Sequence, residues 1–321
     1  MRSYTINPHL LFYSQFLRVV LPVQKKSQLN KYYLSALAAF IIWGFISLLL
    51  KPMHIYPSMD ILFYRVIFSA SIMSFILLFV NPKLRKNNLD NFKKLAPKLK
   101  KQTAFTTLIG GVLLAFNWFF FIYAMNNISI KAASYAYLIC PIITTVLAYL
   151  ILKEKLSKQQ WMAVLISFIS CTILAFNHLV DLVYSLIVAL SYALYLITQR
   201  NNTRLDKFFI LSVQLIFAAI CLLPMYPFLK TNTSYELSFF IQVLILSVVF
   251  TILPLWLNLF ALKGINSSTM GILLYINPIL NFIAAAIIFN EPTETLQIIG
   301  YTAIFISIVI FNWVRIKSML S

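Results

Sequence analysis

The chain has 321 residues, of which 61% are hydrophobic and 11% are charged, with 26 lysine and arginine residues against eight acidic ones. A water-soluble domain carries about 25% charged residues, so this composition excludes an ordinary soluble fold. The net charge of +18 would suit nucleic acid or anionic lipid, but the basic residues lie between long apolar runs. We therefore expect a lipid bilayer as the partner and no nucleic acid.

Residues 1–32 contain one apolar stretch, Leu10 to Val23, which is interrupted by polar residues and a proline. A transmembrane helix needs about 20 apolar residues, so this stretch is too short to span the bilayer well. It also lacks the small-residue cleavage site of a signal peptide. We interpret residues 1–32 as a cytoplasmic or interfacial leader.

Ten later segments are long and apolar enough to cross the hydrocarbon core, within the range of roughly 17 to 25 residues. The fifth and sixth are short, and only Asn177 to Asp181 separates them. The predicted spans are Tyr33–Leu50, Ile61–Val80, Thr103–Met125, Ala132–Leu152, Gln160–Phe176, Leu182–Thr198, Phe208–Phe228, Phe239–Leu262, Ser268–Phe289 and Leu296–Val314.

The basic residues predict the orientation of these spans, because lysine and arginine are enriched in cytoplasmic loops. With a cytoplasmic N-terminus, 22 of the 26 basic residues fall in inward-facing segments and three in outward-facing loops; the remaining one, Arg65, is inside a span. We therefore expect a multi-pass protein of the cell (inner) membrane with both termini in the cytoplasm.

The two halves of the chain resemble each other at two fixed offsets in the numbering, 149 and 137. The corresponding pairs are Trp43 with Tyr192, Lys51 with Arg200, Arg65 with Gln214, Pro141 with Pro278, and Glu154 with Glu291. Each half has five spans, an odd number, so the second half is inverted relative to the first. We predict an all-α integral membrane fold of ten transmembrane helices in two inverted five-helix repeats, residues 33–176 and 182–314, followed by a cytoplasmic tail, 315–321.

Inverted repeats are typical of alternating-access transporters, whose substrate site lies near the midplane between the repeats. Arg65 is the only charged side chain clearly inside a span, a position that costs roughly 2.5 to 3.5 kcal/mol on insertion scales. Two interpretations are open: it reaches the outer headgroups or pairs with Asp60, or it contacts an anionic substrate group or a gate. The polar counterpart Gln214 favours a cavity.

The other candidates are matched or mid-span polar, aromatic and proline positions. A proline inside a helix frees a backbone carbonyl, which can line a cavity or simply accompany a kink. For Asn117 and Trp118 the alternative is hydrogen bonding between helices. The predicted substrate-binding residues are Trp43, Arg65, Asn117, Trp118, Tyr137, Pro141, Tyr192, Gln214, Tyr275, Asn277 and Pro278.

No carboxylate lies in the middle of a predicted span, so the usual titrating group of a proton relay is missing from the membrane. Glu154 and Glu291 end their helices, and Glu154 is expected to pair with Lys153 or Lys155. These features indicate facilitated or potential-sensitive transport, or coupling through an acid at a helix end.

Motifs in both halves carry a resemblance to a known family. They are Ile42-Trp43-Gly44 in the first span, Asp60 to Ile67 in the second, Asn117 to Asn127 in the third, Tyr137 and Pro141 in the fourth, and Ser268 to Gly271 with Tyr275-Ile276-Asn277-Pro278 in the ninth. From roughly Lys31 to Val314 the chain resembles the RarD-type branch of the EamA family, in the drug/metabolite transporter superfamily. The resemblance implies an inner-membrane permease with a ten-helix inverted repeat, of a branch commonly labelled chloramphenicol-resistance permease.

We expect a permease or exporter that moves small amphipathic metabolites, such as amino acids or drug-like compounds, by alternating access, as a monomer or homodimer. A lipid or head-group translocator on the same fold is the main alternative; a channel and an intramembrane enzyme are the others. The histidines lie outside the spans, and Cys140, Cys171 and Cys221 lack metal-ligand spacing. No catalytic residue, metal or cofactor is therefore expected.

Overall fold

The computed structural model describes residues 30–127, 130–175, 179–224, 226–229, 235–288 and 293–320, and the regular elements within these ranges are all helical. Nearly all of the predicted leader, together with Glu291, lies outside the described residues. The helices are α1 (Asn30–Leu50), α2 (Ser58–Val80), α3 (Pro82–Lys94), α4 (Pro97–Asn127), α5 (Ile130–Leu152), α6 (Lys158–Ala175), α7 (Leu179–Asn201), α8 (Lys207–Leu222), α9 (Tyr226–Leu229), α10 (Leu237–Ala261), α11 (Ser267–Leu273), α12 (Ile276–Ile287) and α13 (Thr295–Leu320).

Six helical stretches within the described ranges are long and apolar enough to cross a membrane. They comprise α1, α2, α4, α10, α13 and the stretch Ser267–Ala284, which covers α11 and most of α12. Large apolar side chains cover much of the outer surface, and Phe79, Ile287 and Val314 are more than two-thirds exposed. Such exposure suits lipid rather than water, and this is a multi-pass membrane protein.

Several helix bounds correct the predicted ones. The sixth predicted span is not short, because α7 runs from Leu179 to Asn201. The segment Asn81 to Gln102, expected to be a loop, contains α3. The side chain of Asn81 accepts a hydrogen bond from the Leu84 amide at 3.0 Å and so caps this helix, while Pro82 fits its first position.

Two predicted spans are interrupted. The seventh divides into α8 and the short α9. The ninth divides into α11 and α12 at Leu274 and Tyr275. Pro278 is therefore in the first turn of α12 rather than in mid-helix, at a place where its missing N–H costs little. Pro141, by contrast, does lie inside α5, as predicted.

Both ends of the bundle are held by contacts between elements distant in sequence. At one end, which we call the basic end, the Asp206 amide donates to Asn88 of α3 at 2.7 Å, and Lys263 forms an ion pair with Asp206 at 3.3 Å. At the opposite end, stacked rings of Phe63 and Tyr226 lie 3.6 Å apart between centroids. Between these ends, α2 packs against α8 and α10, α4 against α7 and α8, α5 against α7 and α11, and α6 against α13.

Glu154, just beyond α5, does not pair with Lys153 or Lys155 as expected; its carboxylate caps the N-terminus of α11 instead. It accepts the amides of Ser267 at 2.8 Å and Ser268 at 2.9 Å, and the Ser268 hydroxyl at 2.5 Å. The first amides of a helix lack intrahelical partners and carry partial positive charge, which explains the attraction. Lys153 adopts a positive φ of 57°, so the chain turns at the end of α5 and presents Glu154 to α11.

We predict that Glu154→Ala lowers the thermal unfolding temperature of the purified protein, because a helix cap contributes about 0.5–2 kcal/mol. The matched control is Glu236→Ala. Glu236 also lies beside a helix N-terminus, immediately before α10, but it is exposed and its side chain makes no capping hydrogen bond. Equal unfolding temperatures of the two variants would contradict a stabilising role for the Glu154 cap.

Candidate substrate site

Arg65 lies in α2 with only 2% of its surface exposed, and its side chain turns into the bundle. Its Nε donates to Thr251 Oγ1 at 2.7 Å and its Nη2 to the Phe250 carbonyl at 3.5 Å. The guanidinium carbon stands 4.4 Å from the ring centroid of Trp118, within cation–π range. The alternative in which Arg65 reaches the headgroups or pairs with Asp60 is therefore wrong. Among the described residues no carboxylate forms an ion pair with it, and Asp60 accepts a hydrogen bond from Tyr235.

The irregular shape of α10 creates the acceptors for this guanidinium. Pro254 has no N–H, so it cannot donate the hydrogen bond that the Phe250 carbonyl would receive in a regular α-helix. The turn Val248–Ile252 is correspondingly a π-helix. The freed Phe250 carbonyl also accepts Trp43 Nε1 at 2.9 Å. Thr251 Oγ1 donates to the Leu246 carbonyl at 2.8 Å, which leaves its lone pairs directed at the arginine.

Aromatic side chains from both halves of the chain surround this point. The rings of Trp43 and Tyr192, counterparts in the predicted repeat, meet edge to face at 6.0 Å between centroids. Asn258 donates to the Tyr192 hydroxyl. Tyr137, whose ring is 5.1 Å from that of Phe121, lies close enough to the guanidinium to interact with it electrostatically. We name the group formed by Trp43, Arg65, Trp118, Tyr137 and Tyr192 the Arg65 cluster.

A guanidinium beside aromatic faces can hold a carboxylate through paired hydrogen bonds while the rings cover an apolar body. The Arg65 cluster is therefore chemically suited to an amphipathic anion. It contains five of the eleven residues that were predicted to bind substrate.

The hydrogen bonds of Asn117 and Gln214 are made to residues outside the Arg65 cluster. Asn117 Nδ2 donates to the Val188 carbonyl at 2.8 Å and to Ser191 Oγ at 3.1 Å, both in α7. The predicted alternative, hydrogen bonding between helices, describes this residue. Gln214 Oε1 accepts a hydrogen bond from Tyr195 at 3.4 Å, and no hydrogen bond joins Gln214 to its counterpart Arg65.

The remaining predicted residues lie where α5, α6, α11 and α12 meet. The Tyr275 hydroxyl is 3.7 Å from Cys171 Sγ, and Asn277 Oδ1 accepts Asn281 Nδ2 at 2.6 Å. Pro141 lies at the crossing of α5 with α11, where a Cβ on Gly271 would stand 3.3 Å from the proline carbonyl. Tyr275 and Pro141 therefore contact neighbouring helices, whereas the hydrogen bond of Asn277 stays within α12.

The sequence interpretation missed the acceptors in α10, namely the Phe250 carbonyl and Thr251, together with Asn258. One signal was available: Pro254 is a proline inside a predicted span, just as Pro141 is, and it frees the carbonyl four residues earlier. Nothing in the sequence indicated which donors that carbonyl would receive.

A cavity of about 730 Å³ lies between α2, α4 and α8, beside the 3₁₀ turn Pro52–Ile55. Its walls are mainly apolar and include His54, Leu62, Phe116, Phe119 and Cys221. None of the predicted site residues lines this cavity. Its volume falls in the range of roughly 300 to 1,000 Å³ that accommodates small ligands.

Helices with lipid-facing surfaces around a buried polar centre are compatible with a membrane transporter, and comparisons with known proteins identify the family. The chain belongs to the EamA-like transporter family, whose profile matches twice, at residues 30–176 and 181–313. It is 27% identical over 287 residues to the uncharacterized transporter YojE of Bacillus subtilis, with 87% of this chain and 92% of that protein covered. It is 25% identical to protein RarD of Escherichia coli, again covering 87% of this chain and 92% of the relative.

A solved crystal structure shares the fold, with a TM-score of 0.70 over 89% of this chain and 98% of that one, at 13% sequence identity. At that identity the likeness supports the fold alone. The family match makes this chain a membrane permease of the drug/metabolite transporter group.

We predict that Thr251→Val lowers the unfolding temperature, because it leaves the Arg65 Nε donor without its acceptor inside an apolar bundle. An unsatisfied buried donor costs about 1–3 kcal/mol, or more when it is charged. Thr251→Ser keeps the hydroxyl and should retain most of the stability. If valine and serine variants unfolded at the same temperature, the 2.7 Å hydrogen bond would have no energetic role.

Proposed function

We propose that this permease works by alternating access between two inverted five-helix repeats, crosses the membrane ten times, and moves small amphipathic metabolites that carry an anionic group, such as amino acids. The observation that carries the proposal is the buried guanidinium of Arg65, which has aromatic neighbours and no acidic partner among the described residues. A substrate carboxylate would supply that partner.

Several features support the inverted repeat. The family profile matches each half of the chain separately. Trp43 and Tyr192, counterparts at an offset of 149, contact each other, as expected for residues near a pseudo-two-fold axis. Helix pairs are related in the same way: α5 packs against α7, and the corresponding pair α12 and α1 meet where a Cβ on Gly44 would stand 2.6 Å from Leu280.

We further propose that the basic end faces the cytoplasm and that the protein resides in the inner membrane with both termini inside. The positive-inside rule supports this orientation. Arg204, Asp206 and Lys263 lie at this end, and its polar contacts join them to Gln102 and to Asn88 of the basic helix α3. The opposite orientation would place 22 basic residues in outward-facing segments and three in inward-facing loops, against the rule.

Electrostatics favours an anionic substrate over a neutral one. The two acceptors of Arg65, a carbonyl and a hydroxyl, are neutral dipoles, so they leave the positive charge uncompensated. In a low-dielectric site a carboxylate gains far more from a guanidinium than it does in water. Trp118 and Tyr137 lie beside the same group and can cover an apolar side chain.

The apolar cavity favours a second candidate, a translocator of lipids or lipid head groups on the same fold. Its walls, which include Phe116, Phe119 and Phe217, suit an acyl chain better than a small polar metabolite. Phospholipid transfer between the leaflets of proteoliposomes, measured with a fluorescent lipid, distinguishes the two candidates. Phospholipid transfer by the wild type that is equally fast in Arg65→Ala would favour the translocator.

For the metabolite permease, we predict that uptake of the best-binding carboxylate from a metabolite thermal-shift screen falls at least about tenfold in Arg65→Ala. That loss corresponds to the charge-assisted hydrogen bonds it removes. Proteoliposomes loaded with the unlabelled compound measure the exchange. Arg204→Ala is the control, because Arg204 is also an arginine with polar partners but lies at the basic end. Uptake unchanged in Arg65→Ala would remove Arg65 from the site.

A further inference from the structure

Lys207 is a buried cation that the Arg65 cluster does not use. It is the first residue of α8, at the basic end, and lies ahead of the predicted span that begins at Phe208. Only 2% of it is exposed, and its Nζ donates to the carbonyls of Gln199 at 2.7 Å and Asn202 at 2.8 Å. Both acceptors are neutral, so no direct ion pair compensates the charge.

The charged groups facing Lys207 act in both directions. The positive charges of Lys263 and Arg200 disfavour a positive charge on Lys207, whereas the negative charge of Asp206 favours it. Together with burial, which is the largest cause, they lower the pKa of Lys207 to about 7. The side chains that pack from α3 and α4 near this point, Asn88 and Thr107, are uncharged. The guanidinium of Arg204 donates hydrogen bonds to the side chains of Gln102 and Thr103 in α4.

A series of buried polar side chains leads from Lys207 toward the Arg65 cluster. Asn202 Nδ2 donates to Gln199 Oε1 at 3.4 Å. The amides of Gln199 and Gln214 both press against Gly110 of α4, where a Cβ would stand 2.4 and 2.3 Å from their Nε2 atoms. We name Lys207, Asn202, Gln199, Gln214 and Tyr195 the polar column.

The end of the polar column farthest from Lys207 reaches the Arg65 cluster. Tyr195 donates to Gln214 Oε1 at 3.4 Å, and its ring lies 5.9 Å from that of Tyr192, a member of the cluster. Gly110 is essential to this path, because any side chain there would occupy the space that the two glutamine amides share. The column therefore joins the basic end to the centre of the bundle.

Two atoms of the polar column have hydrogen-bonding capacity that the described residues leave unused: Gln214 Nε2 and Asn202 Oδ1. Both residues are fully buried. Buried polar groups of this kind are normally satisfied by a protein group or by an ordered water, and a water can pass a proton along a chain of hydrogen bonds. Lys207 is the titrating side chain of the column with a neutral form accessible near physiological pH.

We propose that Lys207 is the proton-binding group that couples transport at the Arg65 cluster to a proton gradient, with the polar column carrying the proton between the two. The inference rests on the proposed transport function. In the coupling step, a hydronium ion at the basic end gives a proton to the lone pair of the neutral Lys207 amine and becomes water. An N–H bond of the ammonium then breaks when a proton passes to a water held by Asn202 Oδ1, the unused acceptor of the column. An anion at the Arg65 cluster favours the charged ammonium, and by linkage the ammonium favours the anion, so both move in the same direction.

A substrate-free measurement tests whether Lys207 titrates. The folded state should bind fewer protons than the unfolded state between about pH 7 and the ordinary lysine pKa near 10.4, so stability should rise with pH across this window. Lys207→Arg keeps a donor for both carbonyls but stays charged, and it should lose this contribution. The unfolding temperature of the full chain in detergent, measured from pH 6 to 10, gives the comparison. Superimposable pH profiles of wild type and Lys207→Arg would overturn the proposal.

Transport itself tests the coupling, with tritiated phenylalanine as the probe in proteoliposomes. We expect Lys207→Arg to retain exchange at equal pH on both sides but to lose accumulation driven by an alkaline interior. Lys263→Arg, the control at an exposed neighbouring cation, should retain both. Two results would overturn the coupling. One is gradient-driven accumulation by Lys207→Arg, and the other is a wild type that exchanges phenylalanine but does not accumulate it in response to the gradient. Absence of exchange in the wild type would instead count against the proposed function, leaving the pH profile to decide the role of Lys207.

Discussion

The guanidinium of Arg65 is an expensive group to hold inside an apolar bundle, and the helices around it are shaped by the need to satisfy its donors. A regular α10 would offer weaker acceptors, because each carbonyl of an α-helix already accepts an amide four residues further on. Pro254 removes one such amide, and the resulting π turn presents the Phe250 carbonyl and the Thr251 hydroxyl. The first half of the chain thus supplies the charge and the second half supplies its acceptors.

This division places the polar centre at the contact between the halves. Trp43 donates to the same carbonyl that receives Arg65, and it also packs against its counterpart Tyr192. A change in the packing of α1 or α10 would therefore alter the environment of the guanidinium. At the basic end Glu154 performs a similar joining role, because it extends from α5 to cap α11.

Composition and the length of the apolar runs were sufficient to predict a multi-pass helical membrane protein, because apolar runs of membrane length have few other uses. Arg65 and Trp118 could be singled out for the same reason, since polar or amphipathic groups in an apolar run need partners. The partners themselves were not predictable. Asn117 looked equivalent to Trp118 in sequence, yet it bonds to the backbone of α7. Which way a side chain faces depends on helix rotation, which the nearly uniform apolar pattern does not specify.

Charges at helix ends were the least predictable feature. Glu154 has lysines on both sides in sequence, but the end of a helix from the other half offers it three donors. Lys207 counted as one more inward-facing loop cation, although it is buried beneath the turn that connects α7 to α8. Contacts of this kind depend on the arrangement of the two halves, for which the ten-helix inverted repeat remains a prediction supported by the paired helix contacts.

The most direct test of the central claim is a binding comparison between carboxylates and their uncharged amides, measured as thermal shifts of the purified protein. If Arg65 receives an anionic group, carboxylates from a metabolite library should stabilise the wild type, while the matching amides should not. The same carboxylates should have no effect on Arg65→Ala. Equal stabilisation by each acid and its amide, or shifts that persist in Arg65→Ala, would contradict the assignment of this buried guanidinium to substrate recognition.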